Sequence, residues 1–222
     1  MFELEKKIIA FLGDFYHKRK PLEQAIQAIT DLMEDVNLDS QPPLVENISK
    51  ELAEDPAMII LGTENRINPE AAVVNYWLTK DLDNRLEAYV ANGGSLVVLH
   101  CALASYPADS KYRKMIKGEF LSHPSISAKV RYYSQKETDT FIGSSGYDYE
   151  VIDEFYVVDV DEADTSVFLY SECAEHGQGF GGWCHDYGKG KVVCVVPTHY
   201  EAGLMHEDNM RLYREAIEWG LI

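Results

Sequence analysis

Three short apolar runs, each typical of a strand that is buried on both faces, alternate with amphipathic helical segments in the first half of the chain. The runs lie at residues 6–13, 57–62 and 95–100. Apolar residues at helical spacing predict a helix from Pro21 to Val36 and another over 78–90, which ends before Gly93. Strands that are apolar on both faces need cover on both sides. The alternation therefore predicts a parallel sheet covered by helices.

The second half of the chain is more mixed. Apolar and polar residues alternate in three stretches, as in strands with one solvent-exposed face: 127–134, 154–160 and 166–171. A hairpin is predicted over 183–196, with glycines at its turn, and a closing helix with Asp208 as its N-cap. The stretches 143–148 and 177–182 are predicted loops. We expect one domain, residues 1–222, with a mostly parallel α/β sheet and an antiparallel hairpin in the second half.

Charge and cysteine content exclude several classes of partner. The chain has 37 acidic and 20 basic residues, a net charge of -17 at pH 7, which repels nucleic acid and anionic membrane surfaces. Its four cysteines form no metal-binding or redox pair, and a chain of 222 residues needs no disulfides. The apolar run at the N-terminus is too short for a signal peptide. We therefore expect reduced thiols and a cytoplasmic protein.

Three histidines each follow a strand-like run. His17 comes after the first run, His100 ends the third, and His199 follows the returning strand of the hairpin. Ligands of open parallel sheets bind beyond the carboxyl ends of the strands, so these imidazoles are expected at one rim. There they could bind a metal, relay protons or hydrogen-bond a polyol; each could equally be a structural hydrogen-bonding group.

Other candidate site residues depend on the fold for their meaning. Glu154 precedes a valine-rich strand, and His123 is held extended by the proline that follows it. The glycine run 177–182 flanks Phe180 and Trp183 and suggests a mobile lid that carries an aromatic platform for a sugar ring, with Tyr156 as a further member of that platform. Each of these residues also has an ordinary reading as a capping, structural or packing residue.

Cys101 is a candidate nucleophile. A nucleophile elbow places small residues beside the nucleophile, whereas leucine and histidine precede Cys101 and no glycine flanks it. A small buried thiol is the competing interpretation.

The chain resembles the ThuA-like (trehalose utilisation) family, a branch of the class I glutamine amidotransferase-like superfamily. The similar stretches, in order, are GDFYH, VANGGSLVVLHCA, GEFLSHP, DEFYVVDVD, WCHDYGKGKVVCVVPTH and the ending AIEWGL. The resemblance implies a flavodoxin-like three-layer α/β sandwich and keto-disaccharide substrates. It also places His100, rather than Cys101, at the amidotransferase cysteine position, so glutamine hydrolysis is not expected. The cysteine after His100 and Thr198 before His199 depart from the family's serine and glycine.

These observations predict an enzyme that acts on a keto-sugar or disaccharide derivative. The expected catalytic residues are His17, His100, Glu154 and His199, and the expected substrate-binding residues are Cys101, His123, Tyr156 and Trp183. His17, His100 and His199 are candidate ligands of a zinc-type divalent metal; without a metal, a histidine–glutamate pair could move a proton alpha to a carbonyl.

Two alternatives remain open at this stage: a non-catalytic sugar-binding or regulatory module, and an amidotransferase or protease relative that uses Cys101. A homo-oligomer is a further expectation, with contacts through the aromatic pairs Tyr76–Trp77 and Tyr132–Tyr133.

Overall fold

The computed structural model describes residues 5–134, 141–144 and 146–222. In chain order its elements are β1 (Lys6–Leu12), α1 (Arg19–Thr30), β2 (Val36–Gln41), α2 (Val45–Ala53), β3 (Met58–Gly62), α3 (Lys80–Ala91), β4 (Ser95–Leu99), α4 (Lys111–Ile116), β5 (Gly118–Ser122), β6 (Ala128–Tyr133), β7 (Asp148–Asp153), β8 (Val157–Val160), β9 (Ser166–Cys173), β10 (Gly177–Tyr187), β11 (Gly190–Val195), α5 (Glu201–Leu204) and α6 (Glu207–Leu221). A short 3-10 helix, His100–Leu103, follows β4 directly.

The main sheet is mixed rather than mostly parallel. Its nine strands have the order β2-β1-β3-β4-β11-β10-β9-β6-β7. The four ladders from β2 to β11 are parallel, and the four from β11 to β7 are antiparallel. The α/β class is confirmed, but the expectation of a mostly parallel sheet is wrong, because β10, β9, β6 and β7 extend it through antiparallel ladders. Strands β5 and β8 form a separate antiparallel pair.

The parallel strands are apolar on both faces, as predicted. On β1, Ile8 packs with residues of α1 and α6, while its neighbour Ile9 packs with residues of α2 and α3 on the other face. Both side chains are fully buried. Different helices therefore cover the two faces of the parallel strands. The finer flavodoxin-like description stays a prediction.

The segment after α1 differs from the sequence prediction. The helix ends at Thr30 instead of continuing to Val36, which begins β2. Strand β2 and helix α2 were not predicted. Strand β2 is an edge strand with mostly polar, half-buried side chains, so it lacks the apolar run that would have predicted it. Its pairing with β1 defines it as a strand. At the other end of the chain, His206 rather than Asp208 caps α6, and its ring nitrogen accepts from the Asp208 backbone N–H.

The glycine run 177–182 is not a loop: it forms the first half of β10. A Cβ on Gly182 would overlap the Phe168 ring on the neighbouring β9, so close packing of the two strands explains the small residue. Trp183 follows in the same strand and is fully buried, with its indole N–H donating to the Ile116 carbonyl at 2.8 Å. The predicted mobile lid with an aromatic platform is therefore wrong.

Two of the four aromatic residues expected at an oligomer contact are in the interior. Trp77 and Tyr132 are each 1% exposed, and both donate hydrogen bonds inside the chain, to the Glu64 carbonyl and to Asp153. These two side chains therefore cannot contact a second subunit, and a homo-oligomer stays a prediction without them.

Within the described ranges, no helix has the length and apolar character needed to span a membrane.

The buried position of Trp183 leads to a stability prediction. We expect Trp183→Phe to lower the free energy of unfolding by about 2 kcal/mol, because it leaves a void and removes the indole hydrogen bond to the Ile116 carbonyl. The matched control is Trp219→Phe, at a half-buried tryptophan on α6, for which we expect a smaller loss. Urea unfolding followed by circular dichroism measures both. An equal effect of the two substitutions would contradict this role of Trp183.

Candidate functional site

Four side chains from distant parts of the sequence meet beyond one edge of the main sheet. His17 follows β1, His100 follows β4, Glu154 follows β7, and His199 lies four residues after the end of β11. Each offers one metal-ligand-type atom, and these atoms lie within 4.8 Å of one another. The ring centroids of His17 and His199 are 4.6 Å apart. The structure thus brings together the four residues predicted to be catalytic; their roles stay a prediction. We call these four residues the His–Glu cluster.

Strand direction explains why the cluster forms. Strands β1, β4 and β11 are parallel, so they end at the same edge. Strand β7 has the same direction because four antiparallel ladders separate it from β11. In a flat sheet, four strand spacings would put β7 about 19 Å from β11. The segment after β11 reaches the end of β7, where the His199 backbone N–H donates to Asp153, so this gap is closed in the structure.

Asp153 connects the segments that carry Glu154 and His199. It is fully buried at the end of β7, and its Oδ1 accepts hydrogen bonds from the backbone N–H groups of Glu154, at 2.9 Å, and His199, at 2.8 Å. The Tyr132 hydroxyl donates to Oδ2 at 2.7 Å. Burial raises the pKa of Asp153, against the opposing effects of His100 and of these donors. One buried carboxyl group therefore fixes the backbone beneath two members of the cluster.

Asp14 orients His17. Its Oδ1 lies 2.8 Å from His17 Nδ1, and its Oδ2 accepts the backbone N–H of Glu64 at 2.9 Å. Burial would raise the pKa of Asp14, but the hydrogen bond and charge of His17, together with the backbone N–H donors of Glu64 and His17, outweigh it and lower that pKa to about 2. Burial also lowers the pKa of His17 itself. A neutral His17 that donates from Nδ1 to this carboxylate presents the lone pair of Nε2 to the cluster.

His100 is oriented by the main chain. Its Nδ1 lies 2.7 Å from the carbonyl oxygen of Val196, which can only accept, so Nδ1 carries the proton. Nε2, on the opposite side of the ring, presents its lone pair to the rest of the cluster. The ring stacks on Tyr156 with 4.0 Å between centroids. His100 has φ +38°, a backbone conformation that is costly for any residue other than glycine. Strain of this kind is frequent at functional sites.

His199 and Glu154 are electrostatically coupled. His199 Nδ1 lies 3.3 Å from Glu154 Oε2, and His100 Nε2 lies 3.7 Å from the same oxygen. Burial would raise the pKa of Glu154, but the two histidines hold it well below its usual range. Burial would lower the pKa of His199, but the Glu154 carboxylate raises it above its ordinary value. The pair therefore favours an ionised carboxylate beside an imidazole of increased basicity.

Three ring nitrogens of the cluster are buried without a well-aligned hydrogen bond among the described residues: Nε2 of His17, Nε2 of His100 and Nδ1 of His199. The latter two face Glu154 Oε2, at 3.7 and 3.3 Å, as ion-pair neighbours only. Buried polar atoms are rarely left unsatisfied, and each costs free energy when it is. Three imidazole nitrogens and one carboxylate oxygen are a ligand set that suits zinc and related divalent ions. Asp14 and the Val196 carbonyl each accept a hydrogen bond from the other ring nitrogen of a histidine, an arrangement typical of metal-binding histidines.

A cavity of about 290 Å³ opens over the histidines. Its lining residues are Tyr16, His17, Lys18, Pro21, Leu22, His100, Cys101, Thr198, His199, Tyr200, Glu201 and Leu204. Glu154 does not line this cavity, although it contacts two of the histidines. A small molecule in the cavity would therefore meet the imidazole side of the cluster, with Glu154 behind it.

The predicted substrate-binding residues have different outcomes. Cys101 lines the cavity, but burial raises the pKa of its thiol well above the usual range, so the thiolate needed for a nucleophile is disfavoured. His123 is partly exposed, with Nδ1 3.9 Å from Glu154 Oε1, and lies outside the cavity lining. Tyr156 is buried behind His100. Trp183 is sealed in the core, so a substrate-binding role for it is wrong.

Four residues of this region were missed by the sequence prediction. Asp14 had a usable signal, since it stands three positions before His17 in the stretch GDFYH. Asp153 is adjacent to Glu154, but only its burial and its three donors reveal its role. Tyr16 and Tyr200 flank predicted histidines, and their place at the cavity depends on loop geometry that the sequence pattern does not encode.

Comparison with known proteins gives both a family and a fold. The family model ThuA, trehalose utilisation, matches residues 7–220. A ThuA-like protein of Parabacteroides merdae has 12% identity and a TM-score of 0.75, covering 97% of this chain and 89% of its own. A ThuA-like protein of Bacteroides uniformis has 16% identity and a TM-score of 0.70, with coverages of 99% and 92%. A cytoplasmic protein of Salmonella typhimurium LT2 has 11% identity and a TM-score of 0.65, with coverages of 96% and 99%.

At these identities the solved structures show a shared fold only. No curated protein matches the chain.

The coupling of His199 to Glu154 leads to a titration prediction. In protein freed of metal with a chelator, we expect Glu154→Gln to lower the pKa of His199, because burial remains while the carboxylate that raises this pKa is gone. The control is Glu150→Gln, at an exposed carboxylate on β7, the strand that precedes Glu154; Glu150 pairs with Lys129. NMR titration of the histidine ring protons measures the shift. The coupling is absent if both substitutions leave the His199 curve in place.

Proposed function

The chain belongs to the ThuA (trehalose utilisation) family, and from that premise we propose that it is an enzyme of carbohydrate metabolism that acts on a keto-sugar or disaccharide derivative. The observation that carries the proposal is the His–Glu cluster: three buried imidazole nitrogens without a well-aligned hydrogen bond among the described residues, beside one carboxylate and beneath a cavity. Concave sites with few convergent polar groups and shifted pKa values are typical of active sites.

We propose that His17, His100, His199 and Glu154 together hold a divalent ion of the zinc type. The fit rests on the three nitrogens without a well-aligned hydrogen bond, which an ion would satisfy, and on the two fixed histidine orientations. Such an ion, when bound, would polarise a carbonyl or lower the pKa of a water molecule. Asp14 would keep the His17 proton on Nδ1, and Asp153 would hold the backbone of Glu154 and His199 in place.

The chain's own residues also provide a site for a proton. Glu154 is held ionised, and the raised pKa of His199 makes it more basic than His17, whose pKa is lowered by burial. Without an ion, the pair could take a proton from the carbon next to a carbonyl and return it elsewhere, which is isomerisation or elimination chemistry. The cavity over His199 gives a substrate access to that side.

Glutamine hydrolysis is not part of the proposal. His100 stands at the end of β4 with the strained backbone, while the neighbouring thiol of Cys101 is buried and its pKa is raised.

We also propose that the protein works in the cytoplasm. All four cysteines are buried and unpaired, as expected in a reducing compartment, and one structural neighbour carries the description of a cytoplasmic protein.

Metal analysis tests the proposed ion. After chelation and reloading with zinc, we expect about one ion per chain by mass spectrometry of the metal content. His100→Ala is expected to abolish binding, and Asp14→Asn to weaken it about tenfold to a hundredfold by releasing the His17 ring. His176→Ala, an exposed histidine outside the cluster, is the control. Equal zinc content in all three variants would place any bound ion elsewhere.

Turnover of a panel of keto-disaccharides and their unoxidised parents tests the enzymatic role. We expect the wild-type protein to consume a keto-sugar, and Glu154→Gln to reduce kcat by about a hundredfold or more, because its carboxylate lies within the reacting cluster. Binding without turnover, insensitive to Glu154→Gln, would instead indicate a sugar-binding module. A Cys101→Ser variant is expected to retain activity.

A further inference from the structure

We infer that Tyr16 and Tyr200 form the binding walls for a single uncharged sugar ring over the His–Glu cluster, an inference that rests on the proposed function. Both tyrosines line the cavity, and their exposed fractions are 48% and 38%. Each directly neighbours a cluster histidine in sequence. The ring of Tyr200 meets that of His199 edge-on, with 4.7 Å between centroids. A molecule that contacts these rings is therefore beside the reacting groups.

The aromatic residues that the sequence had suggested for this role, Tyr156 and Trp183, do not line the cavity. Tyr156 is 4% exposed and its ring covers His100 from outside the cavity, while Trp183 is 0% exposed. Tyr16 and Tyr200 are the aromatic side chains of the cavity lining.

The two tyrosines are held in place by their neighbours. The Tyr200 hydroxyl hydrogen-bonds to Ser127 Oγ. Tyr16 packs edge-on against Phe15, with 5.0 Å between centroids, and the Arg66 guanidinium lies 5.8 Å from its ring centre. Side chains restrained in this way lose less conformational freedom when a ligand binds than unrestrained ones would.

The chemistry of the lining fits a sugar ring. Pro21, Leu22 and Leu204 add apolar surface to the two tyrosine rings, while Lys18 and Glu201 supply polar groups. A pyranose has an apolar C–H face that suits a flat aromatic surface and a hydroxyl edge that suits polar side chains. The volume of about 290 Å³ is at the small end of ligand pockets, which favours one ring within the cavity.

Charge favours an uncharged ring over a sugar phosphate. Lys18 and Glu201 carry opposite charges at the cavity, so the lining offers no net positive charge outside the histidines. Glu154 and Asp14 lie close behind the histidines as carboxylates, and the whole chain carries a net charge of -17. With the proposed ion bound, its two positive charges would be balanced by the carboxylates of Glu154 and Asp14, so the site would offer no surplus positive charge to a phosphate group.

Ligand binding to the zinc-reloaded protein tests the inference. The probes are methyl α-glucopyranoside, trehalose and glucose 6-phosphate, followed by saturation-transfer NMR and titration. We expect the two neutral sugars to bind more tightly than the phosphate, and Tyr16→Ala and Tyr200→Ala each to raise the Kd of methyl α-glucopyranoside about tenfold. Tyr16→Phe and Tyr200→Phe keep the ring face and are expected to stay within about twofold. Zinc content, the second readout, should not change in any of these variants.

Tyr76→Ala is the matched control, at a tyrosine that is 50% exposed but does not line the cavity. If the wild-type protein binds the neutral sugars and the two alanine variants bind them equally well, the inference is overturned while the proposed function stands. Tighter binding of glucose 6-phosphate would overturn the choice of an uncharged ring. If the wild-type protein binds none of the probes, the inferred site for a neutral sugar ring is overturned, while turnover of the keto-disaccharide panel tests the proposed function separately.

Discussion

Three imidazole nitrogens held in the interior without a well-aligned hydrogen bond among the described residues are the constraint on which this account depends. Each such atom costs about 1–3 kcal/mol when it is left unsatisfied. The surrounding chain maintains the arrangement: Asp14 and the Val196 carbonyl each fix a ring, and Asp153 fixes the backbone under the other two members of the cluster. Polar atoms kept unpaired in this way are expected where a ligand supplies the missing partner.

The sequence predicted much of this site because strand direction is encoded in short patterns. Apolar runs identify β1, β4 and β11, and parallel strands finish at one edge, so His17, His100 and His199 were expected together. Glu154 was a candidate only if the antiparallel half of the sheet brought the end of β7 close to the histidines. Contacts between residues distant in sequence fix that arrangement, among them the hydrogen bond from the His199 N–H to Asp153.

The remaining differences have a common physical origin in tertiary packing. The run 177–182 looks like a loop by composition, yet it forms a strand in which Gly182 lets the Phe168 ring of β9 pack closely. Trp183 could have stacked on a ligand, but its indole is satisfied by Ile116 in the core. Which tyrosines line the cavity is likewise decided by the loops after β1 and β11, whose shapes follow from neighbours and not from periodicity.

X-ray diffraction from zinc-soaked crystals, with anomalous data collected on both sides of the zinc absorption edge, tests the central claim most directly. The account predicts one strong anomalous peak about 2.0–2.2 Å from His17 Nε2, His100 Nε2, His199 Nδ1 and a carboxylate oxygen of Glu154. An ion bound at another place, with these nitrogens instead hydrogen-bonded to water or to one another, would contradict it.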